Sequence, residues 1–347
     1  MSKVHIVGIG VRTPVGHCYR SAGAAVRCGI CAYAEHPYMI DQHGEPMVVA
    51  MDSTMDPEIL ADDRCIVMLA DSIVDAVKHA GITERVNGMT IAMYIALGQQ
   101  LDSDKIVKSV GRIVQEKLSL NILVKVYTEG HAGGLLALQH AVQQLRSDDL
   151  KMVIVAGVDS HMLPQHLETI DIDDQLHSIN NSWGFTPGEG AGVVLLVSEE
   201  LAKRRRLRPI AAVKNVRTAH EPNLLGTTSV CIGEGLTESF ADLISPPNKI
   251  HDTWCDLNGQ TYRAEEYGFS ICRVGQQFED ASVFVAPAEC WGDVGAASPV
   301  LGIALAAAAW KGEYSRGPNS VVWASSATAK LRGATLITNL AEMEIVG

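Results

Sequence analysis

The chain has 347 residues, 47% of them hydrophobic, which is ample for one large core or two smaller ones. Its formal net charge of −12 argues against nucleic acid and anionic membrane surfaces as partners. Aromatic residues are only 5% of the chain while alanine and glycine are plentiful, which suits closely packed helices and sheets.

Residues 3–9 (KVHIVGI), followed by Gly10, read as a strand ending in glycines. Thr13-Pro14 signals a helix start, threonine as cap and proline at the first position. Residues 32–63, polar and containing proline and aspartate, read as a surface excursion. Residues 66–80 have helical periodicity, 89–96 form a strand, and 104–118 form an amphipathic helix after the Asp102-Ser103 capping signal. Next comes NILVKVYTEGHAGGLLALQHAVQQL, residues 121–145: a strand covered on both faces, a small-residue turn, and a helix apolar on nearly every side. Residues 151–157 are a buried strand, 159–181 a polar loop, and 183–197 a glycine-rich turn into a strand. The basic run Lys203-Arg204-Arg205-Arg206 suits a solvated helix C-terminus.

The second half repeats the plan. Strands fall at 210–217, 250–257 and 281–286, and helices at 231–244 and 263–272. A second small-residue elbow, residues 292–298, leads into the wholly apolar helix 300–309, and closing strands fall at 321–325 and 334–338. Each elbow carries one polar side chain, His131 or Asp293, before a buried helix. The repetition reads as an internal duplication with halves 1–206 and 207–347. A crossover helix on a single doubly wound sheet needs only one apolar face. Two all-apolar helices instead predict a five-layer α/β/α/β/α arrangement, each buried between two sheets.

The eight cysteines are dispersed, mostly among apolar neighbours, and read as buried free thiols of a cytoplasmic protein. Cys28 and Cys31 have redox or zinc spacing but lack a second pair. No signal peptide is visible, and the longest apolar run, 294–310, is too short to span a bilayer comfortably. His161, His166 and His177, with Asp171, Asp173 and Asp174 nearby, fit no tight ligand pattern, so no metal and no cofactor is expected.

The order of these motifs resembles the β-ketoacyl synthase branch of the thiolase superfamily over nearly the whole chain. The opening VHIVGIGVRTPVG is similar to the family's first strand and turn, and GFTPGEGAGVVLLVSEELAKRR (184–205) is close to its most recognisable block. Gly233-Glu234-Gly235-Leu236 and Asp256-Leu257-Asn258-Gly259-Gln260-Thr261 resemble the approach to its H-G-T-G-T motif. Cys290-Trp291-Gly292-Asp293-Val294-Gly295-Ala296-Ala297 is similar to G-H-x-x-G-A-A-G, one residue shorter after Asp293. The resemblance implies a thiolase-like fold and a homodimer in which residues 122–126 pair with their twin. It also implies an acyl carrier protein, an acyl thioester or a synthase-like subunit as possible partners.

In that family the elbow cysteine takes an acyl group from a thioester, and two histidines, or a histidine and an asparagine, serve decarboxylation of the second substrate. The chemistry needs a thiolate, at once good nucleophile and good leaving group. In the implied register His131 takes the cysteine position, Asn258 the first histidine and Asp293 the second. Ala288 takes the lysine, and the glycine-rich gate falls near 328–331. No cysteine or serine lies between Thr128 and Leu145. Cys255 and Cys290 stand three residues before Asn258 and Asp293 and are the alternative thiols, with a small buried hydrophobe as the plainer reading of each. Glu189, whose family partner is the lost lysine, needs another partner. The expectation is a synthase-like protein that has lost condensation and serves as an acyl-binding or partner subunit, as chain-length factors do. The alternative is a divergent acyltransferase, thioester hydrolase or decarboxylase using His131 oriented by Asp293.

Overall fold

The computed structural model describes residues 3–224, 227, 229–327 and 329–340. Strand β1 (Val4–Arg12) is buried along nearly its whole length. Thr13 and Gly16 then exchange backbone hydrogen bonds in a tight turn, so the Thr-Pro signal marks that turn, and α1 (Tyr19–Cys28) starts further on. Residues 32–63 include a hairpin, β2 (Tyr33–Ile40) and β3 (Pro46–Ala50), whose Met47 and Val49 point inward. Helix α2 (Ala61–His79), β4 (Thr90–Leu97) and α3 (Ser103–Leu118) follow, the last capped by the Asp102 carboxylate accepting from Lys105 N–H. The elbow joins β5 (Asn121–Tyr127) to α4 (Gly133–Arg146), and β6 (Met152–Ser160) returns through the core. The segment read as a polar loop holds a helix, α5 (Pro164–Ile172), with proline in its first turn. The wholly buried β7 (Glu189–Ser198) and α6 (Glu199–Arg205) follow, the basic run closing α6.

The second half comprises β8 (Ala211–His220), α7 (Glu234–Phe240), β9 (Asp252–Cys255), α8 (Thr261–Val274), α9 (Ala288–Trp291), α10 (Ser298–Lys311), β10 (Asn319–Ser325) and β11 (Leu331–Thr338). Helix α7 is shorter than the sequence suggests. Gly233, at φ 69°, cannot continue a helix upstream, and Ala241 is extended. Residues 281–286 form no strand; only Val285 reaches β9, donating to Thr253 O and accepting from Cys255 N–H.

The strands run in the order β5-β4-β6-β7-β1-β8-β11-β10-β9. Among the described residues the two halves of this sheet are joined where Val4–Ile6 of β1 pairs antiparallel with Ala211–Val213 of β8. Helix α4 touches β4 and β6 of one half and β8 and β11 of the other, and α10 touches β6 and β7 of one and β9 and β10 of the other. Both helices are therefore sandwiched between the half-sheets. Helix α2 covers the first half from outside, with α3 packed on it, and α7 covers the second, with α8 on it, giving the five-layer α/β/α/β/α arrangement.

Burial on every side explains the composition of α10, in which Pro299 through Ala309 are all buried. Fully burying side chains such as Leu301, Ile303 and Leu305 contributes roughly 1.5–3 kcal/mol each. At Gly134 a Cβ would come within 2.8 Å of Pro299, so the close crossing of α4 and α10 requires glycine there. Strand β5 differs from expectation. It lies at the sheet edge, hydrogen-bonded to β4 alone, with Leu123 67% exposed and Ile122, Val124 and Val126 packed inward. Being an edge strand, it presents one side and one face to solvent.

Candidate active site

The two elbows meet in the central layer. Gly130, at φ 69°, turns the chain before His131, and Ala132 N–H donates to Ser326 Oγ at 3.0 Å, tying the start of α4 to the end of β10. On the other side Asp293 N–H donates to Thr186 O. A positive φ at Gly295 then lets the Asp159 carboxylate lie where a Cβ would be, 2.1 Å from its ideal position.

These turns bring His131, Asn258 and Asp293 together. His131 Nε2 lies 2.9 Å from both Asp293 oxygens, and Asn258 Nδ2 donates to Asp293 Oδ2 at 2.5 Å. Gly295 N–H donates to Oδ1 at 2.7 Å, and His161 Nε2 stands 3.4 Å from the same oxygen. Burial pushes the Asp293 carboxyl up, but the two facing histidines outweigh it and hold the group well below the usual carboxylate range. Asp293 is thus an anionic hub.

His131 has a second neighbour. Arg263, fully buried at the start of α8, places its Nη2 3.4 Å from Nδ1 and 3.2 Å from Nε2, while its Nη1 donates to Asp256 Oδ2 at 2.8 Å and to Ser325 O at 2.7 Å. A carboxylate only accepts and a guanidinium only donates. Both neighbours are satisfied when Nε2 carries the proton toward Asp293 and Nδ1 turns its lone pair to Arg263. Both ring nitrogens of His131 thus already have a polar neighbour.

A second run of groups starts at Asp293. His161 Nδ1 lies 2.9 Å from His166 Nε2, and the two rings stack. Burial lowers the His161 pKa, but Asp293 and Asp159 more than reverse this, so it is raised. Burial and the neighbouring His161 charge lower His166 to about 4. A protonated His161 donating to a neutral His166 fits both shifts. Asp159, fully buried, is pushed up by burial, opposed by His161 and by the Ala296 N–H that donates to it at 2.9 Å. His161 and His166 are therefore partners of the Asp293 centre, while His177 lies apart, with its backbone paired to Phe185.

These groups line a cavity of about 430 Å³ whose walls include Gln100, His131, His161, His166, Phe185 and Arg263. No cysteine lines it. Cys255 is buried with its thiol donating to Val285 O at 3.4 Å, and Cys290 faces a different cavity, beside Val26 and Tyr314. Burial drives both thiols upward in pKa, away from the thiolate a nucleophile needs. The expectation of uniformly buried thiols is corrected: Cys28, Cys31 and Cys272 are exposed, and all eight cysteines are free.

Glu189 has the partner it needs. Arg64 Nη2 and Nε donate to its two oxygens at 2.6 and 2.8 Å, joined by Asp52 N–H and the Ser160 hydroxyl. Arg64, Arg263 and Asp159 escaped the sequence reading. For the arginines a signal exists: Arg64 falls in the inward stripe of α2 with Ala61, Cys65 and Met68, and Arg263 in that of α8 with Glu266 and Tyr267. A charge inside an apolar stripe announces a buried pair. The gate expected near 328–331 is described only from 329 on, Thr328 lying outside the described residues; Leu331 opens β11.

Comparison with known proteins shows what the chain is similar to. The β-ketoacyl synthase N-terminal domain model matches residues 124–202, the stretch from β5 through the first elbow to α6. By sequence, no curated protein matches the chain. The ketosynthase from module 6 of the bacillaene synthase of Bacillus subtilis 168 superposes with a TM-score of 0.75 at 14% identity, covering 97% of this chain and 72% of that one. The ishigamide ketosynthase/chain length factor gives 0.79 at 16% identity, and a type II polyketide ketosynthase bound to the hexaketide with its acyl-carrier protein (AntDE:AntF) gives 0.79 at 13%. Each covers 97% of this chain and 99% of its own. The chain shares the fold of these ketosynthases. In this chain the elbow within the matched stretch presents an imidazole in contact with both Asp293 and Arg263.

Among the described residues no helix is long and apolar enough to cross a membrane.

Proposed function

We propose that this protein is a ketosynthase-like subunit that has lost condensing activity and acts by binding an acyl chain or a partner, in the manner of a chain-length factor. The observation that carries the reading is the closed state of His131. Both ring nitrogens are engaged, by Asp293 and Arg263, and no thiol lines the cavity. Condensation requires a group that holds an acyl chain transiently, and an engaged imidazole cannot accept one. In this reading His131, Asn258 and Asp293 occupy the family's catalytic positions, within halves 1–206 and 207–347. They rebuild a satisfied polar centre that keeps the two elbows in register.

The cavity beside that centre is large enough for part of an acyl chain, and the ishigamide relative pairs a ketosynthase with a chain length factor. The exposed edge of β5 supports assembly through that strand, with a second copy as a homodimer or with a synthase-like subunit.

The test is binding. Purified protein is titrated with acyl carrier protein loaded with acyl chains of graded length, and its mass is followed with and without a ketosynthase from the same host. Micromolar binding or a heteromer supports the subunit reading. A monomer that binds neither carrier nor partner would leave it without a function to perform.

A further inference from the structure

Behind the elbows, between α7, α8 and the end of β8, lies a group of side chains the site does not use. Glu221, Cys231 and Glu266 each place a ligand atom within 4.8 Å of the other two. Both glutamates are fully buried. Glu221 Oε2 accepts from Gly235 N–H at 2.8 Å, and Glu266 Oε1 accepts from Arg332 Nε at 2.5 Å. Among the described residues no donor meets hydrogen-bond geometry at their other oxygens, Glu221 Oε1 and Glu266 Oε2, the nearest being the Ser325 hydroxyl beside Glu266. A buried carboxylate oxygen without a donor is costly.

The charges do not balance. Two glutamates and one arginine leave one negative charge in a protein interior, and a Cys231 thiolate would make it two. A dication cancels that sum. We infer that Glu221, Glu266 and Cys231 form a site for a divalent cation of zinc type. Two carboxylate oxygens and one sulfur suit a borderline-soft ion that takes oxygen and thiolate ligands together. Cys231 is only partly buried, which gives an ion a way in and leaves room for water as a fourth ligand. The backbone holds the cradle closely: a Cβ at Gly233 would lie 2.6 Å from Glu266 O, and one at Gly235 2.6 Å from Glu221 N.

Binding breaks the Cys231 S–H bond, forms a metal–sulfur bond and releases the proton to solvent. Binding therefore weakens as pH falls. The site is coupled to the first elbow: Arg332 Nη1 donates to Ser326 O, and Ser326 Oγ accepts from Ala132 N–H.

The experiment uses the full chain with Cys28, Cys31 and Cys272 changed to serine, which removes the exposed thiols. Zinc bound after dialysis is counted by elemental mass spectrometry, and cobalt(II) reports sulfur ligation through thiolate charge-transfer absorption. The expected result is about one zinc per chain and a cobalt–thiolate band, with affinity falling at least about tenfold in Cys231→Ser and in Glu221→Gln. Cys231→Ser changes one partly buried atom, so it keeps the test usable if Glu221→Gln fails to fold. No zinc at micromolar concentration, or zinc that Cys231→Ser leaves in place, overturns the inference and assigns the unpaired oxygens to a proton shared by the two glutamates.

Discussion

Asp293 faces His131 across the junction of the two elbows, with both carboxylate oxygens 2.9 Å from Nε2, and the same carboxylate accepts from Asn258 and Gly295. Residues from both halves of the chain thus end on one buried anion. The contact ties the halves together, and removing the anion exposes what depends on it.

Asp293→Asn keeps the shape and removes the charge. Breaking a buried ion pair costs roughly 3–5 kcal/mol, because His131 and His161 lose their anion. Urea denaturation at neutral pH should show a loss of that order. The folded-state pKa of Asp293 is depressed, so its stabilisation is present above the unfolded value of 3.8 and disappears as pH falls through the folded value. Wild type and Asp293→Asn should therefore converge in stability below that range.

Arg64 and Glu189 are both fully buried and bind in a two-pronged fork. Arg64→Met leaves Glu189 unpaired and should cost about 3–5 kcal/mol. Changing both to methionine should recover much of that loss. A double variant no better than the single one, by denaturant midpoint, would show that the pair is not the main interaction of either residue.

The two stacked histidines respond to pH in opposite senses. The His161 pKa is raised from 6.5, so its contribution is fully present below about that value and is lost as pH rises through the folded pKa. That of His166 is lowered to about 4, so stability falls as pH drops from 6.5 toward 4, where the unfolded chain takes up a proton the folded one does not. His166→Asn should flatten the acid-side decline and leave the alkaline side to His161. Stability curves from pH 4 to 9 for wild type and His166→Asn separate these effects.

Thiol chemistry gives a further check. Iodoacetamide should label Cys28, Cys31 and Cys272 quickly in the native protein and leave Cys65 and Cys255 unlabelled until denaturant is added. Peptide mapping reads this directly, and rapid native labelling of Cys255 would contradict its burial.

Much of the architecture was legible because periodicity reports burial. The all-apolar helix at 300–309 and the small residues at Gly134 and Ala137 can serve only a helix packed on every side, and α10 and α4 are such helices. The edge position of β5 was not legible. Ile122, Val124 and Val126 alternate, but the apolar Leu123 between them reads as a second covered face, and only the strand order leaves it in solvent. At the site, the meeting of His131 with Asp293 followed from the two elbows. Arg263 did not, because its partners Asp256, Ser325 and His131 are distant in sequence or on other elements, and a single chain carries no record of such pairing. His161 was misread for a similar reason: its neighbours suggested a polar loop, while its ring turns inward to Asp293.

The central claim is that condensation has been lost at the first elbow. Intact-protein mass spectrometry after incubation with acyl and malonyl thioesters, with radiolabelled carbon dioxide collected in parallel, tests it most directly. The closed His131–Asp293–Arg263 arrangement predicts an unmodified chain mass and no carbon dioxide above the spontaneous rate, for wild type and His131→Ala alike. An acyl adduct on the chain, or carbon dioxide release that disappears in His131→Ala, would contradict it.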